Sequence, residues 1–143
     1  MYLIGDIGNS EIKVCLVNSR KKIIKRISFT SKNISLKKIR NNYKSLNQYY
    51  SNINKILFCS VVPKIFRLIK HFLKTKTNTR CFEIKNLDLS SSLKIKVNYN
   101  QVGSDRIANS ISIAKPKKNF IIIDLGTATT FDVLIGKNYV GGI

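Results

Sequence analysis

At 143 residues the chain has the length of one domain, and with 43% hydrophobic residues it has enough apolar sequence to fold. Its 26 lysines and arginines face only 7 acidic residues, a formal net charge of +19. No uncharged apolar run approaches the ~18 residues that a membrane span requires.

Such a charge attracts polyanions without specificity. The basic residues are spread along the chain, in RKKIIKR, KTKTNTR and KPKK, and are not gathered into one tail. Together with the abundant Asn, Ile and Tyr they read as solvated surface shaped by AT-rich codons, so neither specific nucleic-acid binding nor a membrane partner is expected. MYLIGDIGNS runs from Met1 directly into strand-like sequence, with no basic start or cleavage site for secretion. Cys15, Cys59 and Cys81 are odd in number, scattered and set in or beside apolar runs, which suits a reducing cytoplasm. His71 sits in a basic helical stretch without a sequence partner and reads as a helix-surface residue.

In chain order, residues 2–7 form a first strand, broken by Gly8-Asn9-Ser10, a turn of residues that tolerate positive φ. EIKVCLVN alternates Ile12, Val14 and Leu16 with polar neighbours and makes a second strand. KKIIKRISFT makes a third, completing an antiparallel meander. Leu36, Ile39, Tyr43, Leu46, Tyr50 and Ile53 recur at steps of three and four, the inner face of one α-helix. KILFCSVV is a buried strand, and Pro63 opens a helix carrying Ile65, Leu68, Ile69 and Phe72 inward. RCFEI and LKIKV are short strands. A helix follows from about Ser104 to Ala114, stopped by Pro116. NFIIIDLG and TTFDVLIG then form a second hairpin, and NYVGGI begins another strand. Strands that meander and then alternate with helices give an α/β fold with a mixed sheet. The late hairpin resembles the opening of a second copy of the first unit, so the chain is expected to be one lobe plus the start of another. Its apolar face and open edge are expected to be exposed.

Chemistry concentrates in three places. A tight turn between strands gathers backbone N–H groups, glycine lets a phosphate approach, and hydroxyls add donors. In the first turn Gly8, Asn9 and Ser10 suit phosphate, Lys13 supplies charge, and Asp6 at the strand end suits Mg²⁺. In the second, Asp124 takes the cation side, and Gly126, Thr127 and Thr129 the phosphate side. Two such hairpins facing across a cleft would grip a nucleoside triphosphate. Between them VGSDRIANS places Gly103, Ser104, Asp105 and Arg106 at a helix start. Asp105 is there either a helix cap or a base that takes a proton from an alcohol, with Arg106 binding carboxylate or carbonyl.

DIGNSEIK, SVVP, VGSDRIANS and IIIDLGTATTFDV…YVGG, in this order, resemble type III pantothenate kinase, of the acetate kinase, sugar kinase, heat-shock chaperone and actin superfamily. The resemblance implies an actin-like ATPase (ribonuclease H-like) lobe over residues 1–116 and a truncated second lobe from 117 to 143. It implies phosphorylation of pantothenate by ATP, the first step of coenzyme A synthesis, in a cytoplasmic homodimer that needs Mg²⁺ and a monovalent cation, K⁺ or NH4⁺. By motif, Asp6, Ile7, Gly8, Asn9, Ser10, Glu11, Ile12 and Lys13 would line the ATP phosphates, with Thr127 a further ATP contact. Tyr99, Gly103, Ser104, Asp105 and Arg106 would contact pantothenate, with Asp105 the proton acceptor. Asp124 would bind the monovalent cation, where the residues alone suggested the magnesium side. Ser10 and Ser104 replace the family's usual Thr and Ala, and Tyr99 precedes Gly103 by fewer residues than the family pattern. The family's sequence continues past GG, so the chain is expected to be an amino-terminal portion. Two other readings stay open: a non-catalytic regulatory protein of the same fold, and a basic nucleic-acid binder.

Overall fold

Alternation in the first thirty residues builds a meander. Strands β1 (Tyr2–Ile7), β2 (Glu11–Val17) and β3 (Ile23–Thr30) pair antiparallel, with Ile7 opposite Ile12 and Glu11 opposite Thr30. β4 (Lys55–Ser60) joins the other side of β1 in parallel, and β5 (Cys81–Glu83) adds to β4 in parallel, giving the order β3-β2-β1-β4-β5. This computed structural model describes all residues, Met1–Ile143, in two compact units, Met1–Glu83 and Ile84–Ile143.

In the first unit Leu3, Ile7, Ile12, Val14, Leu16, Ile56 and Phe58 share a core with residues of helices α1 (Leu36–Asn42) and α2 (Pro63–Lys74). Burial of these side chains, worth roughly 1.5–3 kcal/mol each, is the main force holding the sheet to the helices. Gly5 lies opposite Phe58 on β4, and a Cβ there would fall 2.1 Å from the Phe58 ring. The glycine is thus the space the aromatic core residue occupies. Ser35 caps α1 by accepting from Lys38 N–H at 3.2 Å, and Pro63 stands in the first turn of α2 as expected.

The stripe from Leu36 to Ile53 is not one α-helix. α1 ends at Asn42, and Tyr43–Asn52 continue as a 3-10 helix. YKSLNQYYSN is rich in Asn, Ser and Tyr, which hold the α conformation weakly. The core is served all the same: Tyr43, Leu46 and Tyr50 are buried, and the Tyr43 ring meets Phe72 edge-on at 5.3 Å.

In the second unit β7 (Asn119–Leu125), β8 (Thr129–Ile135) and β9 (Asn138–Gly142) form an antiparallel meander. β6 (Lys94–Ile95) is parallel to β9, in the order β6-β9-β8-β7. Both sheets are therefore mixed, the class read from the sequence. RCFEI and LKIKV contribute only Cys81–Glu83 and Lys94–Ile95 as strands, one to each sheet. Helix α3 (Ser104–Ile113) packs on β7 and β8. The opposite face of these strands carries Ile121, Ile123, Leu125, Phe131 and Ile135, all exposed, with β7 at the sheet edge.

Candidate functional site

The first glycine turn is closed by Gly8 N–H donating to Glu11 O at 2.9 Å. Ser31, after β3, pins it from outside: its N–H donates to Ser10 O at 2.9 Å and its hydroxyl to Gly8 O at 2.6 Å. Ser31 is buried and was not legible as part of this turn, being 23 residues from Gly8. Positive φ plays no part here. The left-handed residues are Lys21, Asn33, Lys117, Gly136 and Gly141, so the expected reliance of Gly8-Asn9-Ser10 on positive φ is corrected. Space favours glycine at position 8, where a Cβ would lie 3.2 Å from Glu11 O. Asn9, Ser10 and Glu11 are exposed, whereas Ile7 and Ile12 are core residues that anchor the turn.

Asp6 points to the face of the first sheet away from the core, since its neighbours Gly5 and Ile7 point inward. It lies opposite Lys13 on β2 and Cys59 on β4, and the Cys59 thiol approaches Asp6 Oδ1 at 3.6 Å. Lys13 pairs with Glu11 at 3.5 Å; both are exposed, so the pair adds little stability.

In the second unit, period two along β7 and β8 sends Phe120, Ile122 and Asp124, and likewise Thr130, Asp132 and Leu134, toward α3. Asp124 is tied to the helix by Asn109 Nδ2, which donates to Asp124 Oδ2 at 2.9 Å. One helical step back, Arg106 reaches Asp132: Nε donates to Oδ1 at 2.7 Å and Nη2 lies 2.6 Å from the same oxygen. Tyr139 on β9 donates its hydroxyl to this oxygen at 2.5 Å. The hydrogen bond that Arg106 donates to Asp132 holds the guanidinium pKa above its usual value, and burial, helped by that same carboxylate, pushes the Tyr139 phenol up. Asp132 was missed in the sequence. The signal was there: an aspartate at an inward-facing parity of an apolar strand, with Phe131 and Val133 on either side.

At the start of α3, Gly103 is the N-cap residue in extended conformation, and Ser104 is buried behind it. Asp105, in the first turn, accepts from the Arg106 backbone N–H at 2.8 Å through Oδ1. It therefore serves one otherwise unpaired helix-start donor, as a cap would, with one oxygen. Asp105 and Arg106 are thus adjacent and held from two directions. Tyr99 lies in a 3-10 turn, Tyr99–Gln101; its hydroxyl donates to Lys85 O at 2.8 Å and the Lys85 ammonium lies 5.0 Å from its ring centroid. Beside Arg106 opens a cleft of about 280 Å³, lined among others by Val97, Asn98, Gln101 and Tyr139.

The second glycine turn, residues 126–128, is exposed, with Gly126 N–H donating to Ala128 O at 3.2 Å. A Cβ at Gly126 would meet only ordinary contacts, 3.6 Å from Ala128 O and 4.0 Å from Asp124 Oδ1. The protein itself thus has no steric need for glycine there, and its absent side chain leaves the approach to Asp124 open. No group of three or more His, Cys, Asp and Glu side chains could cage a metal. No helix is long and apolar enough to cross a membrane.

The family model for type III pantothenate kinase matches residues 2–143. The chain belongs to the type III pantothenate kinase family. Among curated members, that of Pelagibacter ubique is 53% identical over 143 residues, covering 100% of this chain and 58% of that protein. The Ehrlichia canis member is 33% identical over 141 residues, covering 94% of this chain and 53% of its own length. The Petrotoga mobilis member is 34% identical over 150 residues, covering 99% and 58%. The chain thus spans somewhat over half the length of these relatives. Among solved structures, a Ppx/GppA family protein of Aquifex aeolicus aligns at a TM-score of 0.44 and 11% identity, over 99% of this chain and 49% of that one. That likeness is slight. The two mixed sheets with their helices give the α/β class that the sequence implied.

Proposed function

We propose that the protein phosphorylates pantothenate at the expense of ATP, giving 4'-phosphopantothenate and ADP. The observation that carries this reading is the family match over residues 2–143. Supporting it, the motif residues stand at strand ends and at a helix start, where backbone donors and carboxylates are on hand. Residues 1–116 are taken as one actin-like lobe and 117–143 as the opening of a second.

In this reading the first turn, Asp6 to Lys13, receives the ATP phosphates, and Thr127 makes a further ATP contact. Arg106 binds the pantothenate carboxylate, and Gly103, Ser104 and Tyr99 shape the acceptor side. Asp105 uses the oxygen not engaged by the Arg106 N–H to accept the proton of the pantothenate hydroxyl as that oxygen attacks the γ-phosphorus. The P–O bond to ADP breaks, and ADP leaves with the bonding electrons. Asp6 would hold Mg²⁺ and Asp124 a monovalent cation, K⁺ or NH4⁺; bound, they offset phosphate charge. The residues present fit such cations, because single carboxylates that share a hard cation with water and phosphate oxygens need no protein cage. The reading extends to a cytoplasmic homodimer.

The test is a coupled measurement of ADP release with purified protein, ATP, Mg²⁺ and K⁺. Release that depends on pantothenate supports the kinase. Nucleotide binding without pantothenate-dependent release would favour a regulatory protein of the same fold.

A further inference from the structure

Asp132 is the one charged side chain in the chain that is fully buried, at 0% exposure. Burying a carboxylate is costly, and an ion pair seldom returns more than its desolvation took. The fold has an inexpensive alternative, because the neighbouring inward positions Leu134, Ile122 and Phe120 are apolar. Asp132 also sits there incompletely satisfied: Oδ1 takes three donors, while Oδ2 is buried without a hydrogen bond. A buried group so placed calls for a reason outside packing.

Everything around Oδ1 converges on one guanidinium. Arg106 Nε and Nη2 bind Oδ1, and Nη2 also donates to Phe131 O at 3.3 Å. Tyr139, itself buried, braces the carboxylate from β9. Gly142 leaves the passage open: a Cβ there would fall 2.5 Å from Arg106 Nη2 and 1.9 Å from Phe131 O. Gly141 before it has φ +122°, which L side chains rarely adopt. The arginine is thereby fixed along one edge. Asp132 and Phe131 engage Nε and Nη2 and not the other terminal nitrogen, Nη1; the side chain remains 20% exposed and borders the 280 Å³ cleft.

We infer that Asp132, braced by Tyr139, is a positioning residue that locks the Arg106 guanidinium in one orientation and presents its free edge to a substrate carboxylate. The inference rests on the reading of Arg106 as the carboxylate contact. A free arginine must lose its rotamer freedom when it binds, whereas a guanidinium already fixed by the protein binds without that loss. Asp132 therefore acts on recognition of the anion and leaves the chemistry of the hydroxyl to Asp105.

The experiment uses the 143-residue chain with Asp132→Asn, Tyr139→Phe and Arg106→Gln. Pantothenate and its uncharged analogue pantothenyl alcohol are each titrated in, and solvent exchange of the Arg106 Nε–H is followed by NMR. In the unmodified chain the Nε–H gives one slowly exchanging signal. Asp132→Asn is expected to let that proton exchange at least tenfold faster. It should also weaken pantothenate at least tenfold, while pantothenyl alcohol changes less than twofold. Tyr139→Phe shifts the same quantities the same way by a few-fold, and carries the test should Asp132→Asn not fold. An equal loss for both ligands, or an Nε–H that stays protected in the variants, would overturn the inference. If Arg106→Gln binds both ligands normally, the carboxylate reading fails instead. Should neither ligand bind the unmodified chain, Nε–H exchange alone decides whether Asp132 locks the guanidinium.

Discussion

The two sheets place their charge on opposite sides. In the first, the helix-covered face is apolar throughout, from Leu3 to Phe58, and Asp6, Glu11 and Lys13 stand on the bare face. In the second, the face under α3 carries Asp124 and Asp132 with their partners Asn109 and Arg106, while the bare face carries Ile121, Ile123, Leu125 and Phe131. The first sheet is held by its core and shows its chemistry to solvent. The second holds its chemistry against a helix and shows solvent its hydrocarbon. Hydrophobic patterning alone therefore accounts for the first unit, and fails in the second just where charged groups are gathered.

The largest effect on stability is expected in the first unit. Phe58→Ala removes a fully buried ring that packs on Phe66 and fills the space above Gly5, and should cost about 3–5 kcal/mol. Chemical denaturation checks this. A loss under ~1 kcal/mol would mean that this core is not what holds the sheet to its helices.

A smaller effect should appear with pH. Burial pushes the Cys81 thiol from 9.0 to about 11 and the Tyr50 phenol to about 12. Both groups are neutral when protonated, and the folded state keeps the proton longer than the unfolded chain. Their stabilisation is complete below the unfolded pKa and is lost as pH rises through the folded one. Melting of the first unit should thus weaken from about pH 9 to 11, by on the order of 2 kcal/mol for the thiol. Cys81→Ala should flatten the earlier part of that loss. An unchanged onset would remove Cys81 from the account.

The smallest effect belongs to the bare apolar face. Ile121 and Leu125 are 70% and 79% exposed, so Ile121→Thr with Leu125→Thr should change stability by no more than ~0.5 kcal/mol each. The same pair should sharply reduce binding of a hydrophobic dye. If dye binding persists, the exposed hydrocarbon lies elsewhere.

Most of the fold was readable because its signals are local. Alternation at Ile12, Val14 and Leu16 marked β2, Pro63 marked the start of α2, and the apolar run 119–125 marked β7. The conversion to a 3-10 helix at Tyr43 was not readable, because 43, 46 and 50 satisfy the spacing of either helix. Motifs likewise pointed to Asp105 and Arg106, which are neighbours in sequence. Asp132, Tyr139 and Ser31 were missed because each meets its partner only through the pairing of separate elements, 26, 7 and 23 residues away. Asp132 shares the parity of Leu134 and stands opposite Ile122, but its partner Arg106 lies on a separate helix that the strand pattern does not indicate.

The proposed function divides the labour: the first turn would serve the nucleotide and its cation, and the start of α3 the acceptor. Steady-state kinetics of Asp6→Asn and Asp105→Asn, with Mg²⁺, ATP and pantothenate each varied, tests it most directly. Asp105→Asn should lower turnover by roughly 10²–10⁴ with ATP affinity nearly unchanged and no recovery on adding Mg²⁺. Asp6→Asn should weaken the metal–nucleotide complex and regain part of its rate as Mg²⁺ is raised. Near-normal turnover in Asp105→Asn would leave that carboxylate a helix cap and contradict the account.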